Sequence, residues 1–145
     1  MLGDELATRE NLGYLLAKAL QRWNELLFER FRARGFGEVR PAYGSVLIPL
    51  FEEDGLRMGE LARRARLSKQ TMTTLVRLTE RDGLVRRERD AEDGRAFRVH
   101  LTERSRAFRP VAEAVLGELD AMVRDRLAAS ELDILRRALK GVMEL

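Results

Sequence analysis

The sequence predicts a mainly α fold that carries a small β-hairpin. Apolar residues recur at helical spacing along both ends of the chain. Between those ends, over residues 58–83, two short helical patterns meet at a sharp turn. A segment of period two then follows on either side of Asp93-Gly94, a strong hairpin turn signal.

A chain of 145 residues, 45% hydrophobic, suits one domain or a small domain with dimer-forming helices. No stretch approaches the roughly 20 apolar residues of a membrane span. Met1 to Arg9 holds two acids and no apolar run, so a secretory signal is not expected. The chain has no cysteine, which excludes disulfides and thiol chemistry and points to a cytoplasmic protein. Net charge is +3, unevenly spread: residues 57–109 carry 15 basic and 8 acidic side chains, a balance of +7, while the rest is at −4. A basic centre between acidic ends fits a nucleic-acid footprint, though a solvated surface with chance clustering would look the same. Arginine outnumbers lysine 24 to 3, which a G+C-rich coding bias explains.

The first helix starts beneath Thr8 as its cap and keeps Leu12, Leu15, Leu16, Ala19, Leu20, Trp23, Leu26, Leu27 and Phe31 in phase to about Arg34. That stripe is wide for a small protein: one side can pack on its own chain and another on a second chain, unless it is simply a core helix. Gly35-Phe36-Gly37 breaks it. Pro41 opens a second helix, Ala42 to Glu53, in which Pro49 predicts a bend or early stop. Asp54-Gly55 ends it, and Leu56 to Met58 reads as a short strand.

Glu60-Leu61-Ala62 opens the next helix. Ser68 is a good N-cap for the one after it, whose buried face is Met72, Leu75, Val76 and Thr79. Lys69, Gln70, Thr73 and Arg77 lie off that face and have the chemistry to read DNA: charge for phosphates, amide and hydroxyl groups for base edges. Asp82-Gly83 ends this helix, with Gly83 suited to the left-handed position. Leu84 to Arg89 and Ala96 to Leu101 read as hairpin strands. Thr102 caps a long helix containing Pro110, with Val111, Val115, Leu116, Leu119, Met122, Val123 and Leu127 in phase. Ser130-x-x-Asp133 reads as the capping start of the last helix, whose apolar positions include Ile134, Leu135 and Leu139.

This pattern resembles the winged helix-turn-helix of the MarR family of bacterial transcription regulators. The matching residues are Glu60-Leu61-Ala62, Leu67-Ser68, Thr71-Met72-Thr73, Val76, Leu78, Gly83-Leu84-Val85, Asp90, Asp93, Arg95, Val99 and Leu101-Thr102. The most specific part is Asp90-x-x-Asp93-x-Arg95, followed by Leu101-Thr102 and a long helix. Two residues depart from the family's habit of glycine: Arg66 in the turn between the motif helices, strained if that position needs positive φ, and Ser105.

The resemblance implies an N-terminal dimerisation helix (1–37), a winged helix-turn-helix lobe (38–102) and C-terminal dimerisation helices (103–145), intertwined as one domain. It implies a homodimer on a roughly palindromic double-stranded operator, repressing transcription until a small aromatic or lipophilic effector relieves it. The expected DNA-binding set is Ser68, Lys69, Gln70, Thr73, Thr74, Arg77, Asp93 and Arg95. Arg95 at the hairpin tip suits the minor groove, where negative potential is concentrated. Asp93, by resemblance, holds the arginine and its loop in shape. The expected effector site is Lys18, Trp23 and Tyr43; the opposing reading is that Trp23 and Tyr43 fill the core and Lys18 is solvated. Leu132, Leu135 and Leu139 are expected at the dimer seam.

No enzyme, cofactor, metal or membrane role is expected. His100 is the one histidine, it lies in a strand pattern, and no glycine-rich phosphate loop is present. The competing function is a winged-helix protein-interaction module that does not bind DNA. Lys69, Gln70, Arg77 and Arg95 argue against it, because such a module needs no basic reading face.

Overall fold

The structure, a computed structural model, describes residues 6–145. Residues 1–5, the start of the expected first segment and of the stretch judged not to be a signal, lie outside the described part. Six α-helices and a three-stranded antiparallel sheet follow in the order α1 (Leu12–Ala33), α2 (Gly44–Glu52), β1 (Leu56–Arg57), α3 (Met58–Ala65), α4 (Lys69–Arg81), β2 (Val85–Arg89), β3 (Phe97–Leu101), α5 (Glu103–Arg124) and α6 (Ala129–Met143).

Helix α1 begins later than Thr8 predicts. The Thr8 side chain accepts from the Glu10 N–H and its carbonyl from the Asn11 N–H, which closes a local turn. Asn11 is the actual cap, its side chain accepting from the Gly13 N–H. Ahead of α2, Pro41–Tyr43 forms a single 3-10 turn. The helix runs through Pro49 and stops at Glu52, less than one turn further on. Gly55 then turns the chain at φ +75°, and a Cβ there would also crowd the His100 ring at 3.0 Å. Both facts favour glycine.

The sheet order is β1-β3-β2. Register pairs Val85 with Leu101, Arg87 with Val99 and Arg89 with Phe97, so these six side chains share one face. The β1 strand covers the far edge of β3 through Leu56–Val99 and Arg57–Arg98. Asp54 fastens this corner: it accepts from the Leu101 N–H at 2.8 Å and from Arg106 at 3.3 Å.

One core unites the lobe. Leu47, Leu50, Leu61, Met72, Val76, Leu84, Val85 and Val99 are buried in it. Phe31 and Phe36 meet Phe108 at 4.8 and 5.3 Å between ring centres, which anchors α1 and the following turn to α5. Helix α5 continues through Pro110. Thr102 caps it as expected, and Ser105 is the reciprocal partner: each accepts the other's backbone N–H. A glycine at 105 would lose half of that cap.

Helix α6 starts two residues before the expected point. Its first-turn acid is Glu131, which accepts from the Ala128 N–H at 2.9 Å; Ser130 and Asp133 do not form the box. Leu132 is buried in its own chain rather than free for a seam, whereas Ile134, Leu135, Leu139, Val142 and Met143 are exposed. On α1, Leu12, Tyr14, Leu15 and Leu20 are also exposed, while Leu27 and Phe31 are buried. No helix among the described residues is long and apolar enough to cross a membrane.

Candidate nucleic-acid interface

Helix α4 opens at Ser68, whose hydroxyl accepts from the Thr71 N–H at 3.1 Å and meets the Thr71 hydroxyl at 2.9 Å. The cap fixes where the helix begins, and therefore which side chains leave its first two turns outward. Met72, Val76 and Thr79 are buried and Leu75 half-buried, as the spacing predicts. Lys69, Gln70, Thr73, Thr74 and Arg77 occupy the other side, spread over about 140° of the helix circumference. The Thr73 and Thr74 hydroxyls donate back to the carbonyls of Lys69 and Gln70, leaving oxygen lone pairs outward as acceptors. At the far end Gly83 takes φ +79° at the left-handed position.

The hairpin stands beside this helix. Arg87 holds them together: its guanidinium meets Glu80 of α4 at 3.1 Å, and its own N–H reaches the same carboxylate. Arg87 and Arg89 also flank the Phe97 ring, each 5.5 Å from its centre. Between helix and hairpin lies a cleft of about 680 Å3, lined in part by Arg57, Lys69, Thr73, Arg87, Asp93 and Arg95. Glu60 also lines it, but that carboxylate is engaged by Arg63, which lowers its pKa most, and then by Arg64.

Asp93 shapes the hairpin tip through backbone rather than through the arginine head: its carboxylate accepts the Arg95 N–H at 3.0 Å. The root of the hairpin is held by Asp90, which received no role from the sequence. Its buried carboxylate accepts from the Glu92 N–H at 2.9 Å and from Arg57 at 2.6 Å, and forms an ion pair with Arg98 at 3.2 Å. The Glu92 N–H, then the Arg57 guanidinium, hold its carboxyl below the usual range against the cost of burial. Asp90 lay inside the quoted motif, but its partner Arg57 is 33 residues away and spacing could not reveal it.

Ion pairing separates the reading residues from their neighbours. Arg57, Arg63, Arg64, Arg81, Arg86 and Arg87 are each bound to a carboxylate. Among the described residues, the side chains of Lys69, Gln70, Arg77 and Arg95 have no hydrogen-bond or ion-pair partner and are exposed. Exposed, unpaired cations on one surface are available to phosphate without first breaking an internal pair.

The three residues expected to bind an effector are not brought together. Tyr43 is 1% exposed, and its hydroxyl donates to Asp82 at 2.5 Å. It is a core residue tied to the C-terminal end of α4, with its pKa raised mainly by burial. Trp23 is half-buried against the core. Lys18 is exposed, bonded to Gln21 and set over the Tyr14 ring at 5.6 Å. Five residues apart on one helix, Lys18 and Trp23 point about 140° away from each other. His100 is half-buried with Nε2 3.2 Å from Glu88, inside the sheet rather than in a cleft.

A model of the MarR family matches residues 46–96, the span from α2 to the hairpin tip. An HTH-type transcriptional repressor of Mycobacterium tuberculosis is 38% identical over 91 residues, covering 63% of this chain and 66% of the repressor, just under two thirds of its length. The crystal structure of a probable transcriptional regulator from Pseudomonas aeruginosa superposes with a TM-score of 0.79 at 26% identity, over 92% of this chain and 97% of that one. The transcriptional repressor CouR, solved on a 23-mer DNA duplex, superposes with a TM-score of 0.78 at 24% identity, over 92% and 93%.

Proposed function

We propose that the chain is a MarR-family transcriptional regulator that binds a roughly palindromic DNA operator as a homodimer and represses transcription there. One observation carries the reading. Lys69, Gln70 and Arg77 on α4 and Arg95 on the hairpin are exposed and unpaired among the described residues, beside Arg57, Arg63, Arg64 and Arg87, which are each held by a carboxylate.

In this reading α4 enters the major groove. Gln70 and Thr73 meet base edges, Lys69 and Arg77 meet phosphates, and Ser68 and Thr74 border the contact. Arg95 reaches the adjacent minor groove from a hairpin that Asp93 shapes at its tip. CouR, of the same fold, was solved on DNA, and the mycobacterial relative is named a repressor; both support the assignment. The exposed apolar residues of α1 and α6 support the dimer. Relief by a small aromatic or lipophilic molecule rests on the family resemblance, and the PcaV regulator of Streptomyces coelicolor, of the same fold, was solved with its natural ligand. Of the Lys18, Trp23 and Tyr43 set, Tyr43 is closed in the core of this chain. The alternative of a protein-interaction module without DNA binding leaves the unpaired reading face without a use.

The test is selection of duplexes from a random library, followed by hydroxyl-radical footprinting of the winners. Two half-sites about one helical turn apart, each flanked by minor-groove protection, are expected. A library that yields no enrichment contradicts the proposal.

A further inference from the structure

Arg66 is the one non-glycine residue with positive φ among the described residues, at φ 56° and ψ 40°. It ends α3 and leads through Leu67 to the Ser68 cap of α4. Left-handed backbone is unfavourable for any residue with a Cβ, and glycine would relieve it. The arginine side chain offers something glycine cannot. Its Nη1 donates to the carbonyl of Met143, 77 residues away, at 2.8 Å. Met143 is the last residue of α6, where carbonyls lack partners within the helix and the helix dipole favours a cation.

Little else holds α6 to its own chain. Leu132 is its one buried residue, and Arg136 reaches Asp120 of α5 at 3.4 Å; neither lies beyond its midpoint. At its end, Arg66 is the tie to the reading lobe. We propose that Arg66 is a positioning residue: it ties the last turn of α6 to the start of α4 and so fixes the separation of the two reading helices in the dimer. The proposal rests on the dimeric, DNA-binding reading given above. It assigns a use to an arginine side chain at a positive-φ turn position where the helix-turn-helix motif would accept glycine.

Two variants test it. Arg66→Gly removes the tie and the strain together, so thermal stability should hold or rise while function falls. Arg66→Lys keeps the positive charge and a donor. Because the chain has no cysteine, Thr74→Cys places one spin label on each reading helix. With the protein free of DNA, pulsed dipolar spectroscopy should give one narrow distance in the Thr74→Cys background. Adding Arg66→Gly should broaden that distance, and Arg66→Lys should largely restore it. Without the label, Arg66→Gly should lose about fivefold in operator affinity, the low end of usual coupling between sites. It should also bind operators with half-sites moved by one base pair as well as the best one. Equal distance distributions in all three proteins overturn the proposal, as does a chain that gives no dipolar signal because it does not dimerise. A protein whose distance responds to Arg66 but which binds no duplex would keep the positioning role and discard the DNA reading.

Discussion

Arg95 sits at an exposed turn and supports no core residue, so its role can be tested without disturbing the fold. Arg95→Ala should weaken operator binding by about 1–3 kcal/mol, the scale of one specific contact, and leave the melting temperature unchanged. Titration of labelled operator reads the first and differential scanning fluorimetry the second. Gln70→Ala and Thr73→Ala should flatten the preference among operator variants, whereas Lys69→Ala should weaken all variants alike. A uniform loss for all three would reassign these side chains to the phosphates.

Acid stability belongs to the same scale. The Asp90 carboxyl is held below its usual range by the Glu92 N–H and then Arg57, and Asp82 by the Tyr43 hydroxyl and then Arg81. A folded value below the unfolded one stabilises the fold above about pH 4, and that stability disappears as pH falls through the folded value. Urea unfolding from pH 7 down to pH 2 should therefore show stability declining below about pH 4. Asp90→Asn should be less stable at pH 7 and show a shallower decline; an unchanged profile would deny Asp90 this part.

Single residues were legible in the sequence where chemistry is local. Ser68, Gly83 and Arg66 were read correctly because caps and left-handed positions depend on near neighbours. For Tyr43 the sequence left an effector site and the core both open; the residue is buried and bonded to Asp82, a partner 39 residues away that spacing could not reveal. The Asp90–Arg57 pair was missed for the same reason.

At the scale of elements, periodicity located the six α-helices and the two hairpin strands, and its errors fall at their ends. Thr8 and Ser130 are good capping residues, but Asn11 and Glu131 do the capping. Several polar residues near a helix start compete for the role, and packing further along the helix decides between them. The Ser68 cap is different, since it also sets the rotation of the reading face. Ser68→Ala should lower stability by about 1 kcal/mol in urea unfolding. Affinity for DNA should fall with it, as the first turn of α4 frays. Ser68→Asp, which keeps the cap but adds a negative charge facing phosphate, should restore stability and not affinity. Recovery of both would mean that Ser68 acts only as a cap.

For the whole molecule, the wide stripe on α1 and the exposed residues of α6 leave apolar surface that one chain does not cover. Leu135 and Leu139 remain suited to a seam between chains, while Leu132 is already occupied. Sedimentation at micromolar concentration should give twice the chain mass of 16.7 kDa. Leu135→Glu with Leu139→Glu should shift the protein toward monomer and abolish operator binding together. The sequence shows that surplus of apolar positions but not their geometry, because a second chain leaves no periodic mark of its own.

The central claim is that unpaired cations on α4 and the hairpin hold DNA. The measurement that meets it most directly is operator affinity against salt, by fluorescence anisotropy, for the unaltered protein and Arg95→Ala. Lys69, Arg77 and Arg95 give three cations per protomer and six per dimer, and each cation that displaces condensed counterions, at a phosphate or in the minor groove, contributes about −0.9 to the slope of log affinity against log salt. The account predicts a slope of about −5, reduced in magnitude by up to about two units in Arg95→Ala. A slope near zero, or one that Arg95→Ala leaves unchanged along with the affinity, would contradict it.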